Sequence, residues 1–145
     1  NQQIVVILII RNTGRYLIMC DNNKFYICEH CGNLIGMIHD AGVPMMCCGR
    51  KMTKLEPGVV EASHEKHIPV VTVEDNIVTV TIGSVEHPMV EEHHIVWVYL
   101  QTDRGGQRKC LEVGKEPTVT FALADEKPVA AYAYCNIHGL WKKEI

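Results

Sequence analysis

The chain has 145 residues, 47% hydrophobic and 21% charged, which fits one ordinary domain or two small ones and excludes a disordered polymer. Its net charge of −3 argues against nucleic acid as a partner, which usually demands a basic face. Seven cysteines beside eight histidines, with two phenylalanines and two tryptophans, make the composition of a metal protein and not of a disulfide scaffold.

The first apolar run is Ile4–Ile10, far short of the roughly 18 to 20 residues a membrane-spanning helix needs. No longer run exists, so no membrane partner is expected. Nothing basic precedes Ile4–Ile10 and no small-residue cleavage site follows it, unlike a secretory signal. Residues 1–23 read as a leader or an extra N-terminal segment. Met19 stands before the polar stretch Cys20-Asp21-Asn22-Asn23-Lys24 in the manner of a natural start. Gly14-Arg15 just upstream is what a purine-rich ribosome-binding sequence would encode, which makes residues 1–18 translated leader. The alternative is a genuine extra strand that pairs with a neighbour, since an uncovered apolar strand is an aggregation hazard.

Beyond the leader no segment has the period of a helix, and apolar residues alternate at period two between Gly, Pro and Asn-Asp punctuation. Phe25–Cys28 and Leu34–His39 predict two short strands in a small unit over residues 24–58, with Pro57-Gly58 as its exit turn. Ile68–Glu74 and Ile77–Ile82 are β-branched runs joined by Asp75-Asn76, a hairpin signal. His93–Gln101 is the longest predicted strand, and Asp103-Arg104-Gly105-Gly106 turns it into Arg108–Val113. Thr118–Ala124 and Val129–Tyr134 follow. The fold class is all-β: a small β unit, then a β-sandwich of about seven strands over residues 59–145.

Cys28-Glu29-His30-Cys31 is a C-x-x-C, and the adjacent pair Cys47-Cys48 follows, before Gly49. Four thiolates so close together in a small β unit suit a tetrahedral zinc or iron site. A unit of this size lacks a sufficient core, so a metal would supply stability. Neighbouring residues point apart, so a Cys-Cys pair should open one sulfur–metal–sulfur angle. A structural zinc ribbon with a slipped second knuckle is the plainer reading, and two disulfides are the other.

Downstream lie Glu65-Lys66-His67, His87-Pro88, His93, and Cys135-Asn136-Ile137-His138-Gly139. Each taken alone is ordinary: a histidine at a strand end is usually on the surface, and a cysteine after Tyr-Ala-Tyr is usually core. Loops at one end of a sandwich nevertheless gather into sites, and imidazoles with one thiolate suit a redox metal such as iron or copper.

Taken together, Cys28-x-x-Cys31, Cys47-Cys48, Glu65-Lys66-His67, His87-Pro88-Met89, His93 and Cys135-Asn136-x-His138-Gly139, in that order, resemble the desulfoferrodoxin family of two-iron superoxide reductases. The resemblance covers residue 24 to about residue 143. It implies a desulforedoxin-like four-cysteine domain and a neelaredoxin-like, immunoglobulin-like seven-stranded sandwich. It also implies two irons per chain: one on Cys28, Cys31, Cys47 and Cys48, the other on His67, His87, His93 and His138 in a plane, with Cys135 axial. Glu65 and Lys66 would stand beside the open position. The implied reaction is one-electron reduction of superoxide to hydrogen peroxide, with re-reduction by rubredoxin or a similar donor, in a cytoplasmic homodimer. His94 is left out of the ligand set because strand alternation would turn it away from His93. Cys110 is expected to be a buried free thiol, and His30, His39 and His64 to be accessory. Two other classes remain: a non-catalytic iron electron carrier or redox sensor, and a structural zinc protein.

Overall fold

Period-two alternation, broken by a glycine-punctuated polar stretch, builds two separate all-β units. The computed structural model describes residues 23–59 and 62–145. One unit ends at Lys54 and the other spans Leu55–Ile145. The expectations for residues 1–18, Met19 and Cys20 fall outside the described residues.

In the first unit β1 (Lys24–Ile27) is central, flanked by β2 (Leu34–Met37) and β5 (Thr53–Lys54) in an antiparallel sheet of order β2-β1-β5. A second ladder pairs β3 (Met46–Cys47) with β4 (Arg50–Lys51). Among the described residues the buried apolar side chains here are Phe25, Cys28 and Met52.

The second unit begins with one helical turn, α1 (His64–His67), followed by seven strands: β6 (Pro69–Glu74), β7 (Ile77–Ile82), β8 (Ile95–Thr102), β9 (Gly105–Cys110), β10 (Thr118–Ala122), β11 (Pro128–Cys135) and β12 (Gly139–Glu144). They form two antiparallel sheets, ordered β10-β7-β6 and β12-β11-β8-β9. The core lies between the sheets. Val78, Val80 and Ile82 of β7 alternate inward to meet Phe121, Ile95, Val98, Leu100, Ala131 and Ala133. The central strand β8 is also covered on its other face, where Trp97 stacks on Tyr134 at 5.5 Å. That accounts for the apolar residues on both of its faces.

Asp75-Asn76 is the two-residue turn of the β6–β7 hairpin, with Asp75 in the left-handed region at φ 53°. The β8–β9 turn is shorter than expected. Gly105 and Gly106 already pair with Thr102 and Gln101, so β9 starts earlier than Arg108. β12 was not anticipated from sequence, because Leu140-Trp141 is too short an apolar run and Lys142-Lys143-Glu144 is charged. α1 was also not foreseen; a single turn is too short to show a period. Cys110 is exposed and not buried, because it ends the edge strand β9.

Candidate metal centres

Cys28, Cys31, Cys47 and Cys48 of the first unit converge, with sulfurs within 4.8 Å of one another. Cys28 and Cys31 bracket a turn in which Gly32 N–H donates to the Cys28 carbonyl at 2.8 Å, with Gly32 at φ 78°. The adjacent pair is resolved by turn chemistry. Cys47 pairs with Arg50, so Cys48-Gly49 is a two-residue hairpin loop with φ of 50° and 70°. Left-handed conformation at both positions is the type I′ pattern, in which Cys48 stands where Asn is common. It swings the second sulfur back toward the first, giving 3.9 Å between Cys47 and Cys48 against 3.6 Å between Cys31 and Cys47. Backbone N–H groups of Cys31 and His30 hold the Cys28 thiol down to about 6. The Cys31 and Cys47 thiols push Cys48 up to about 12, as expected of sulfurs crowded together.

The second cluster is drawn from three loops at one end of the sandwich. His67, His87, His93, Cys135 and His138 bring one donor atom each to within 4.8 Å of the others. Neighbouring rings stand nearly perpendicular around a square: His67–His87 at 4.6 Å and 79°, His87–His93 at 4.5 Å and 77°. His93–His138 at 4.8 Å and 77°, and His67–His138 at 4.7 Å and 88°, complete it. The diagonal pair His67–His93 lies at 6.0 Å and is nearly parallel.

Tautomers are set locally. His67 Nδ1 donates to the Ser63 carbonyl at 2.7 Å and His87 Nδ1 donates to the Pro88 carbonyl at 2.6 Å, so each offers an Nε2 lone pair to the centre. His67 Nε2 lies 2.9 Å from His138 Nδ1, while His87 Nε2 and His93 Nε2 are buried with no hydrogen-bond partner. Orphaned buried nitrogens aimed at one point are what a cation would satisfy, so the donor set fits a transition metal. Burial pushes the His87 imidazole down to about 4, and lowers His67 and His93 as well, so the rings stay neutral. Burial raises the Cys135 thiol, opposed by the backbone N–H groups of His138 and Ile137.

Two supports have no clear sequence signal. Gly83 at φ 85° leaves room for the carbonyls of α1; a Cβ there would lie 2.3 Å from the Val85 carbonyl and 2.7 Å from that of Lys66. Val85 N–H then donates to the Glu65 carbonyl at 3.0 Å, which ties the turn carrying His67 to the end of β7. Trp141 stacks on His67 at 4.7 Å, and its indole N–H donates to the His138 carbonyl at 3.2 Å.

Glu65 and Lys66 are exposed on α1, a single helical turn. The Ser63 hydroxyl and the residue's own backbone N–H hold the Glu65 carboxyl below its ordinary range. His93 and His94 both precede β8. His94 stays out of the group because its ring turns back to the Val90 and Glu91 carbonyls, each at 3.1 Å, and not because of strand alternation. His64 packs edge-on against Trp141 at 5.3 Å. His30 and His39 are exposed on the first unit.

The family profile described as desulfoferrodoxin matches residues 59–144. Desulfoferrodoxin from Nitratidesulfovibrio vulgaris is 40% identical over 126 residues, covering 87% of this chain and 99% of that protein. A desulfoferrodoxin homolog from Archaeoglobus fulgidus is 40% identical over 124 residues, covering 86% and 98%. Among solved structures, the superoxide reductase from Treponema pallidum is similar with a TM-score of 0.72 and 42% identity, covering 85% of this chain and 99% of that one.

Proposed function

The chain belongs to the desulfoferrodoxin family and is a superoxide reductase, and from that premise we propose how its residues divide the work. Cys28, Cys31, Cys47 and Cys48 hold one iron, and His67, His87, His93, His138 and Cys135 hold a second, where superoxide reacts. The single observation that carries this is the square of imidazoles beside a buried thiol, with two of its nitrogens orphaned. Iron bound there supplies the one electron that, with two protons from solvent, turns superoxide into hydrogen peroxide.

The chain's own groups do the rest. His67 and His87 are locked as Nδ1–H tautomers by backbone carbonyls, so their donor atoms need no reorganisation. Lys66, on the turn that carries His67, gives an anionic substrate a local positive field in a chain of net charge −3. Glu65, held ionised, is an anionic donor available to the site between turnovers. The four-sulfur site has an auxiliary or structural role. Rubredoxin or a similar one-electron donor restores the reduced state.

Exposed Ile38, Val43 and Met46 on the first unit support assembly as a homodimer. Among the described residues no helix is long and apolar enough to cross a membrane. A cytoplasmic setting, where thiols are kept reduced, suits a chain that uses its cysteines as metal ligands.

Metal analysis with visible spectra before and after a mild oxidant tests the assignment. Two irons per chain with two distinct chromophores, and superoxide consumed beyond one equivalent when reductant is supplied, are expected. Zinc at both sites, or consumption that stops at one equivalent, would overturn it.

A further inference from the structure

The cysteine and one histidine of the second cluster come from different loops, and one exposed side chain joins them. β11 ends at Cys135 and β12 begins at Gly139, so Asn136-Ile137-His138 is a three-residue hairpin loop. The ladder between β11 and β8 slips just before it: Tyr134 opposes Trp97, but Cys135 opposes Ile95, leaving Val96 over. Such a bulge re-aims the side chain that follows it. Past the bulge, β11 stops, yet the pairing continues for one more step. Asn136 N–H donates to the His94 carbonyl at 3.1 Å, and His94 N–H donates to Asn136 Oδ1 at 2.9 Å. In an ordinary ladder that second bond would reach the backbone carbonyl of Asn136. Here the side-chain oxygen takes its place, so the backbone is free to turn away into Ile137 and His138. The amide's other end, Nδ2, donates to the Glu92 carbonyl at 3.0 Å. The orientation is unambiguous, since a backbone N–H must meet the oxygen and a carbonyl must meet the nitrogen.

We propose that Asn136 is a positioning residue of the second centre: its carboxamide clamps the loop that carries His93 to the loop that carries Cys135 and His138, and so fixes the thiol against the imidazoles. The inference rests on the metal-site reading above. The chemistry requires the amide type at this place. Only a side chain that accepts from one backbone group and donates to another, two residues apart on the facing loop, closes both bonds. Its Oδ1 lies 3.9 Å from Cys135 Sγ, so movement of the amide is felt at the sulfur. The residue is exposed, so truncation leaves no buried cavity.

The test uses the iron-loaded full chain with Asn136→Ala and Asn136→Asp. Two readouts are needed: the sulfur-to-iron charge-transfer band of the oxidised second site, and the rate at which each site yields its iron to a chelator. Asn136→Ala is expected to shift the band and to weaken iron retention at the second site by about tenfold to a hundredfold, the usual range for a lost outer partner. The four-sulfur chromophore and its iron should be unchanged. Asn136→Asp has the same shape, keeps the acceptor for His94 N–H and loses the donor, so its retention should fall between wild type and Asn136→Ala. Wild-type band and retention in Asn136→Ala would overturn the proposal, as would equal loss of iron from both sites. If Asn136→Ala does not fold, a folded Asn136→Asp with wild-type retention overturns it. Iron that leaves the intact native chain at once, with no second chromophore, would instead count against the metal-site reading.

Discussion

Acidification should destabilise the metal-free second unit over a window set by its buried imidazoles. His87 is almost fully buried, at 1% exposure, and its imidazole is pushed down to about 4 by desolvation. Burial lowers His67 and His93 in the same direction. The folded pKa values lie below the ordinary value of 6.5, so the unfolded chain takes up protons first as pH falls. Stability is therefore complete above about pH 6.5 and declines from there toward the folded pKa values. For His87 alone the loss is about 2 kcal/mol between pH 7 and 5, and about 3 kcal/mol by pH 4. Glu65, whose carboxyl is also depressed, acts below its ordinary value of 4.5 and leaves the upper part of the window clear. The Cys28 thiol, lowered to about 6, belongs to the first unit. Both tryptophans, Trp97 and Trp141, lie in the second unit, so their fluorescence reports that unit alone. Urea melts of the metal-free protein at pH 7, 6 and 5 should show a midpoint falling by roughly 1 M or more across the range. His87→Gln should make that fall shallower. A midpoint that stays level or rises, or a His87→Gln variant with the wild-type slope, would refute the reasoning.

Cys28→Ser should abolish the four-sulfur chromophore while the pre-reduced protein keeps its fast reaction with superoxide, whereas Cys135→Ser should remove the thiolate charge-transfer band of the second site; visible spectra and rapid mixing measure both. Lys66→Ala should slow capture of superoxide by about tenfold and flatten its dependence on ionic strength, read by pulse-generated superoxide at several salt concentrations. Stripping metal with a chelator should expose the first unit's backbone amides to rapid hydrogen exchange and leave β7, β8 and β11 protected. Equal loss of protection in both units would contradict the contrast in their cores.

The long, strongly alternating strands were legible because a half-buried sheet imposes period two. β7 matches its expected span at both ends, and Asp75-Asn76 turns where its residue types demand. Elements whose form depends on distant partners were not legible. α1 is a single turn held by Gly83 and Val85 from the end of β7, which no local pattern reveals. β12 is a strand because β11 pairs with it, despite its charged C-terminal half. Cys110 was misjudged because a strand position says nothing about whether the strand lies at an edge. The candidate donors were legible as residue types, and the structure gathers all nine into two clusters. Their supports were hidden, since the Ser63 and Pro88 carbonyls act through backbone atoms that every residue has.

The contrast between the two centres follows from how much apolar surface surrounds each. The first unit buries Phe25, Cys28 and Met52, and leaves Cys31 and Cys48 exposed. Its four sulfurs crowd together, and the neighbouring thiols that raise Cys48 resist its ionising alone. A divalent or trivalent ion bound there would relieve that repulsion, and in a unit this small its binding energy would add directly to folding stability. The second centre is built the other way round. Two sheets bury a core running from Val78 to Cys135, and the loops holding the imidazoles are anchored to it by His87 N–H on the Ile82 carbonyl and Ile95 N–H on Met89 Sδ. The folded sandwich thus gathers His87 Nε2 and His93 Nε2, neither with a hydrogen-bond partner, close to the Cys135 thiol. His67 and His87 present their donor nitrogens with the tautomer already set. Such anchoring is what a scaffold needs if a bound metal is to change oxidation state with little rearrangement.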